Sequence, residues 1–202
     1  MKNLKRFAAF AMALCLSLSM MSVASAANVA TSSGGSATSN VTLSSTADGS
    51  LEGDPAATAM SVTVPTVLPV AIGTDGAVST ATNAKITTNS YGAVKVSSVT
   101  INAEDGWKLA DFTTNMAKEK VDSNQVGFAL SIGNGEQQAT DASATDSQAL
   151  LDAAIEGCYM TGAGDTTGNS VAVLYDAVVS PVSNAVTNTG IASIVFVVEW
   201  DV

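Results

Sequence analysis

The chain carries 18 aspartate and glutamate residues, eight lysine and arginine residues, two cysteines and no histidine. The lack of histidine removes Ser-His-Asp and Cys-His catalysis and most zinc sites in one step. What remains is oxygen chemistry. Asp48, Glu52 and Asp54 lie in one acidic turn and, with loop carbonyls, are candidate ligands for calcium, a hard cation that takes oxygen. Asp141 and Asp146 form a second, weaker group. Neither group has EF-hand spacing, and acidic loops are ordinarily just solvated, so no metal or cofactor is expected beyond that calcium candidate. Carboxylate pairs also serve glycosidases, but an aromatic content of 5% is thin for a sugar-stacking cleft. A Ser-Lys nucleophile is unsupported too, because no Ser-x-x-Lys motif is present. The expectation is a non-catalytic protein with no catalytic residue.

Two further motifs have bland explanations. Gly162 to Gly168 is a glycine-rich stretch, but it lacks the Gly-Lys-Ser/Thr of a P-loop and leads into a strand, whereas phosphate-binding loops lead into a helix. It is expected to be a hairpin-like loop. Cys158 is the one cysteine that survives removal of the signal peptide, so no internal disulfide can form, and it is expected to be a small buried hydrophobe.

The elements that would position these residues begin with an export signal. Lys2, Lys5 and Arg6 make a basic start, Phe7 to Leu18 an apolar run, and Ala24-Ser25-Ala26 a small-residue cleavage site. The run falls short of the roughly 20 apolar residues a membrane span needs. No sortase-type sorting signal is found, and no membrane insertion is expected after cleavage. Removing residues 1–26 leaves five lysines against 18 acidic residues, a net charge of −13. Such a chain repels phosphate backbones, so nucleic acid is excluded as a partner. The acidity suits an exported protein that must stay soluble.

Residues 27–59 are rich in Ser, Thr, Ala and Gly and are expected to be a leader. One island interrupts it: Asn40-Val41-Thr42-Leu43-Ser44 alternates as a short strand does, and Val41 and Leu43 make it a candidate donor strand. Residues 60–202 are expected to form one domain. Val62 and its neighbours are interrupted by Pro65 and Pro69, which places that strand at an edge or a bend. Val94, Val96, Val99 and Ile101 slip by one at Ser97-Ser98, which predicts a bulge. Val126, Phe128, Leu130 and Ile132 alternate with Gly127, Ala129 and Ser131, the pattern of a half-buried strand. The stretches 113–124 and 133–148 are polar and expected to be loops. Asp146 to Glu156 is expected to be a short crossover helix, capped by Thr145 with Gln148 and stopped at Gly157. The last segment is the strongest strand: Ile194, Phe196, Val198, Trp200 and Val202 face one way, Val195, Val197, Glu199 and Asp201 the other. About eight short strands with turns between them predict an all-β fold, an antiparallel β-sandwich of the Ig-like or Greek-key type.

Each tryptophan lies in a W-x-aliphatic triplet, Trp107-Lys108-Leu109 and Trp200-Asp201-Val202. The pairing of Gly106-Trp107-Lys108-Leu109 with Glu199-Trp200-Asp201-Val202 resembles the WxL-type surface domains of Gram-positive bacteria. The second triplet ends in Val where that family has Leu. The resemblance implies a β-rich domain held noncovalently at peptidoglycan, with Trp107, Leu109, Trp200 and Val202 as its motif residues. The layout of leader and sandwich is also similar to secreted proteins of the TasA/camelysin type. Some Gram-positive surface domains join a strand lysine to an asparagine through an isopeptide bond, and Lys85 or Lys95 with Asn184 or Asn188 would be the residues here. Exposed lysines on a sheet face are the simpler expectation. The function expected is therefore a secreted, cell-surface or wall-associated adhesion module. Its partners would be a cell-wall polymer, other surface proteins or a second copy. The alternative is a subunit of an extracellular filament, assembled by strand exchange of the leader.

Overall fold

Short runs of β-branched residues, punctuated by Gly, Asn and Asp turns, fold as strands along the whole domain. The computed structural model describes residues 59–202; the expected signal peptide, the Val41–Leu43 island and the Asp48/Glu52/Asp54 turn lie outside the described residues. In chain order the strands are β1 (Val62–Thr63), β2 (Val70–Ile72), β3 (Val78–Thr80), β4 (Lys85–Thr88), β5 (Val94–Ala103) and β6 (Lys108–Leu109). They continue with β7 (Gln125–Ile132), β8 (Gln138–Ala139), β9 (Ser147–Leu151), β10 (Tyr159–Met160), β11 (Ser170–Val179) and β12 (Ala192–Trp200). A 3-10 turn, Met116–Lys118, interrupts the polar stretch after β6. Among the described residues no helix is long and apolar enough to cross a membrane.

The fold is an all-β, antiparallel sandwich. One sheet runs β1-β4-β11-β7-β6, with β8 also on β7; the other has β5 at its centre, β12 on one edge, and β9 and β10 sharing the opposite edge. The β2–β3 hairpin is a small third sheet. Among the described residues only β6 pairs in parallel, with β7. β1 is an edge strand and the chain leaves it before Pro65, as the two prolines require. Gly106, at φ +80°, sits third in the turn that Trp107 N–H closes on Glu104 O at 2.9 Å, a place that favours glycine.

The core lies between the two sheets. β5 contributes Val94, Val96, Val99 and Ile101, all fully buried, and β7 and β11 face them with Phe128, Leu130, Val173 and Tyr175. The bulge expected at Ser97-Ser98 is present: Val197 pairs with Ser98 and Val198 with Val96, so Ser97 is the extra residue. Cys158 is fully buried, and burial pushes its thiol pKa up, as expected of a packing residue.

Three expectations are corrected. The helix over 146–156 does not form; Ser147–Leu151 is β9, antiparallel to β5, and turns follow. Its adjacent leucines suggested one helix face. Instead a register shift sets Leu151 against Val99 and Ala149 against Thr100, so Leu150 is the extra residue of a bulge. Both leucines then reach the core, and the free edge of β5 supplies the hydrogen bonds that override local helix propensity. Gln148 caps nothing; its side-chain oxygen accepts the Asp141 N–H at 3.0 Å. Secondly, β7 is covered on both faces rather than one, because Gly127 and Ala129 are buried along with Phe128. The cover is the segment 110–112 after β6: Ala110 N–H donates to Val126 O and Phe112 N–H to Thr140 O. The strand count also exceeds the expected eight: the β2–β3 hairpin, β8, β9 and β10 are additional, and β8 with the start of β9 falls in 133–148, a stretch expected to be a loop.

Thr140 ties this cover down. Its Oγ1 donates to Ala110 O at 2.6 Å and accepts from Phe128 N–H at 3.0 Å, and the side chain is buried. Thr140→Val keeps the shape but leaves a buried donor and a buried acceptor unpaired. It should cost about 1–3 kcal/mol in chemical denaturation. An unchanged midpoint would show that water replaces the hydroxyl.

Candidate functional site

The most distinctive surface of the domain is the margin formed by β12. Its nine residues pair with β5 alone among the described residues, so its other edge presents backbone N–H and C=O groups without strand partners. Its inward row, Ile194, Phe196, Val198 and Trp200, packs on the core yet stays only half-buried, whereas the inward row of β5 is fully buried. Outward, Val195 and Val197 are exposed. Ile194 to Val198 is five consecutive apolar residues with no charge and no proline. Edge strands are usually blunted by Lys, Pro or short length, and a long apolar edge is a template for pairing with another strand. The bulge at Ser97, opposite Val197 and Val198, lies on the central strand β5 rather than on β12, so it does not blunt this edge.

The W-x-aliphatic residues do not converge. Trp200 pairs with Val94 at the start of β5, whereas Trp107 follows the turn beyond Ala103 at its end. The length of β5 separates them by roughly 30 Å. Both rings are half-buried against the core; the Trp200 ring lies over Gly92, where an added Cβ would stand 3.0 Å from Cζ3. Leu109 is a core residue and Val202 is fully exposed beyond the last strand. The four residues thus occupy opposite ends of the sandwich and do not form one surface.

Of the lysine–asparagine candidates, Lys95 and Asn184 have other partners. Lys85 is exposed on β4, as expected. Lys95 is less exposed than that expectation, at 22%, and its Nζ stands 4.0 Å from Asp201 Oδ1. Asn184 Nδ2 donates to Ser183 Oγ, and Asn188 takes a positive φ in an exposed turn.

The carboxylates mostly organise loops. Asp165 Oδ1 accepts from Thr167 Oγ1 at 2.7 Å and from the N–H groups of Thr167 and Gly168, while Oδ2 accepts from Thr161 Oγ1. The stretch from Gly162 to Gly168 is therefore a self-bonded loop leading into β11. These hydrogen bonds, that from Thr167 first, lower the Asp165 pKa to about 2. The same arrangement with Thr113, Ser183 and Ser143 lowers Asp111, Asp122 and Asp141 respectively. Among the described residues no three of His, Cys, Asp and Glu stand together as a metal group.

A pH dependence follows from Asp165. Its folded pKa lies below the unfolded 3.8, so the loop's contribution is complete above that value and is lost as pH falls through about 2. The amides of Thr167 and Gly168 should begin to exchange faster in that window, and Asp165→Asn should expose them at neutral pH. Exchange at those amides that ignores acid would disprove the assignment.

No family model matches the chain, and neither a curated protein nor a solved structure does.

Proposed function

We propose that the chain is a secreted, non-catalytic module that acts at the cell surface or wall by association. The observation that carries this is the apolar edge of β12, which has no strand partner beyond β5 among the described residues, with its half-covered inward row. An exported, strongly acidic protein keeps such an edge at the risk of aggregation, so its retention is best explained by a use in association. Export by the signal peptide and the lack of histidine chemistry support the same reading. Fractionation of producing cells tests it: the protein should remain with the wall or surface. Protein found only in the medium, and unable to bind purified wall, would overturn it.

The same edge favours a second reading, a filament subunit whose leader strand complements a neighbour. Strand addition at an open edge is a common mode of association, and a head-to-tail contact grows a fibre rather than a closed dimer. Val41 and Leu43 would then supply the alternating side chains. Mature full-length protein should polymerise in light scattering, and deletion of residues 27–45 should abolish the polymers. A full-length chain that stays monomeric at high concentration removes this reading and leaves wall association standing.

A further inference from the structure

On the outer face of the β5 sheet a groove of about 470 Å3 opens to solvent. Its floor is built by register. Tyr159 on β10 pairs with Lys95 on β5, and Lys95 pairs with Glu199 on β12, so an aromatic, a cation and a carboxylate lie in one row across three strands. Strands are about 4.8 Å apart, so the row spans roughly 10 Å, the length of a disaccharide.

The Ser97 bulge shapes the next level of the groove. It leaves Ser97 and Ser98 both on the outer face, between the inward Val96 and Val99, so two hydroxyls line the groove where a regular strand would present one. One wall is Asp152-Ala153-Ala154, the turn that leaves β9, and Val197 stands on the opposite side. Tyr159 is 49% exposed, so part of its ring faces the groove.

We propose that this groove binds an oligosaccharide that carries no anionic groups. A pyranose ring has an apolar C–H face and a rim of hydroxyls, and the groove offers both partners. Tyr159, Ala153, Ala154 and Val197 supply apolar contact, while Ser98, Asp152 and Glu199 supply hydrogen-bonding groups and Ser97, whose Oγ donates to Val197 O at 3.3 Å, is left as an acceptor. Its charge sets the class of glycan. Asp152 and Glu199 outnumber Lys95, whose Nζ also stands 4.0 Å from Asp201 Oδ1. A phosphate- or uronate-bearing polymer is repelled, whereas neutral and amino sugars are accepted. The site volume falls in the usual range for ligand pockets, about 300–1,000 Å3. One aromatic ring in an open groove holds a sugar weakly, with Kd of about 1 mM. Many copies on one surface would convert that into firm attachment through avidity. The groove uses the outer side chains of β12 and leaves the backbone groups of its edge free.

The proposal rests on the wall-association reading, and the test separates the two. Amide NMR of the mature chain is followed during titration with chitin-type and cellulose-type oligosaccharides, with oligogalacturonate as the anionic comparison. Millimolar neutral or amino glycan should shift Lys95, Ser97, Ser98 and Tyr159, and oligogalacturonate should not. Tyr159→Ala should weaken binding about tenfold, with Tyr159→Phe retaining it and the thermal midpoints of both confirming the fold. The proposal is overturned if no neutral or amino glycan shifts these residues, or if Tyr159→Ala leaves binding unchanged. Sedimentation with purified wall is run alongside: wall binding without a groove response removes the groove and keeps wall association.

Discussion

Tyr175→Ala lowers the unfolding free energy by about 3–5 kcal/mol, a loss typical of deleting a buried aromatic. Domains of this kind are stable by about 5–15 kcal/mol, so the loss is a large share of the total. Tyr175 is 6% exposed on β11, and its ring stacks on Phe128 of β7 with centroids 5.9 Å apart and planes 19° apart. Its hydroxyl reaches out of the core. The Oη donates to Pro69 O at 2.8 Å and accepts from Ala81 N–H at 3.1 Å, one residue on each side of the β2–β3 hairpin. Thr80 Oγ1 adds a bond to Tyr175 O at 3.0 Å. The side chain therefore acts twice, as core filler and as the clamp on the hairpin. Tyr175→Phe separates the two roles. It keeps the ring, costs about 1–3 kcal/mol for the unpaired groups, and speeds exchange at the Ala81 amide. Chemical denaturation and amide exchange read both effects. An alanine variant with a wild-type midpoint would mean that the hairpin and ring carry no stability.

The sequence discloses strands more readily than their neighbours. Val94, Val96, Val99 and Ile101 reveal both a core face and the bulge, because a one-residue slip in a period-two pattern has few other causes. Pro65 and Pro69 reveal an edge, because proline lacks the donor that a central ladder needs. Leu150 and Leu151 mislead for the same local reason: two adjacent apolar residues fit a helix face, and only the partner strand β5 decides that a bulge serves them instead. The β12 margin is hidden in a similar way. Ile194 to Val198 has the composition of an internal strand, and its edge position is a fact about chain order in the sheet rather than about its own residues. The groove is assembled from β5, β10, β12 and the 152–154 turn, so no single stretch of sequence contains its pattern. Its one local trace is the Ser97-Ser98 slip. The tryptophan triplets look alike in sequence but end up at opposite ends of β5, because similar tripeptides carry no information on where the fold puts them.

Gly127→Val is the second large effect, and it tests the covered outer face of β7. In an alternating strand Gly127 would face solvent, where valine would suit a strand better than glycine. Here a Cβ would stand 2.7 Å from Val178 Cγ2, 2.8 Å from Phe112 Cα and 2.9 Å from Asp111 O. Two of those three contacts are backbone atoms of the covering segment, which cannot turn aside as a side chain can. Even alanine must push 110–112 outward by some tenths of an ångström, and valine by more. Overpacking of this kind costs typically 1–3 kcal/mol, and valine should sit at the upper end, about 3 kcal/mol. The damage should be directional. Segment 110–112 is tied to β7 by Ala110 N–H on Val126 O and to Thr140 through the Phe112 N–H. Those two amides should lose protection first, whereas the β5–β12 ladder, which lies in the other sheet, should keep its own. A Gly127→Val protein that gains stability, as strand propensity alone would dictate, would show that the face is open and that 110–112 does not pack on it.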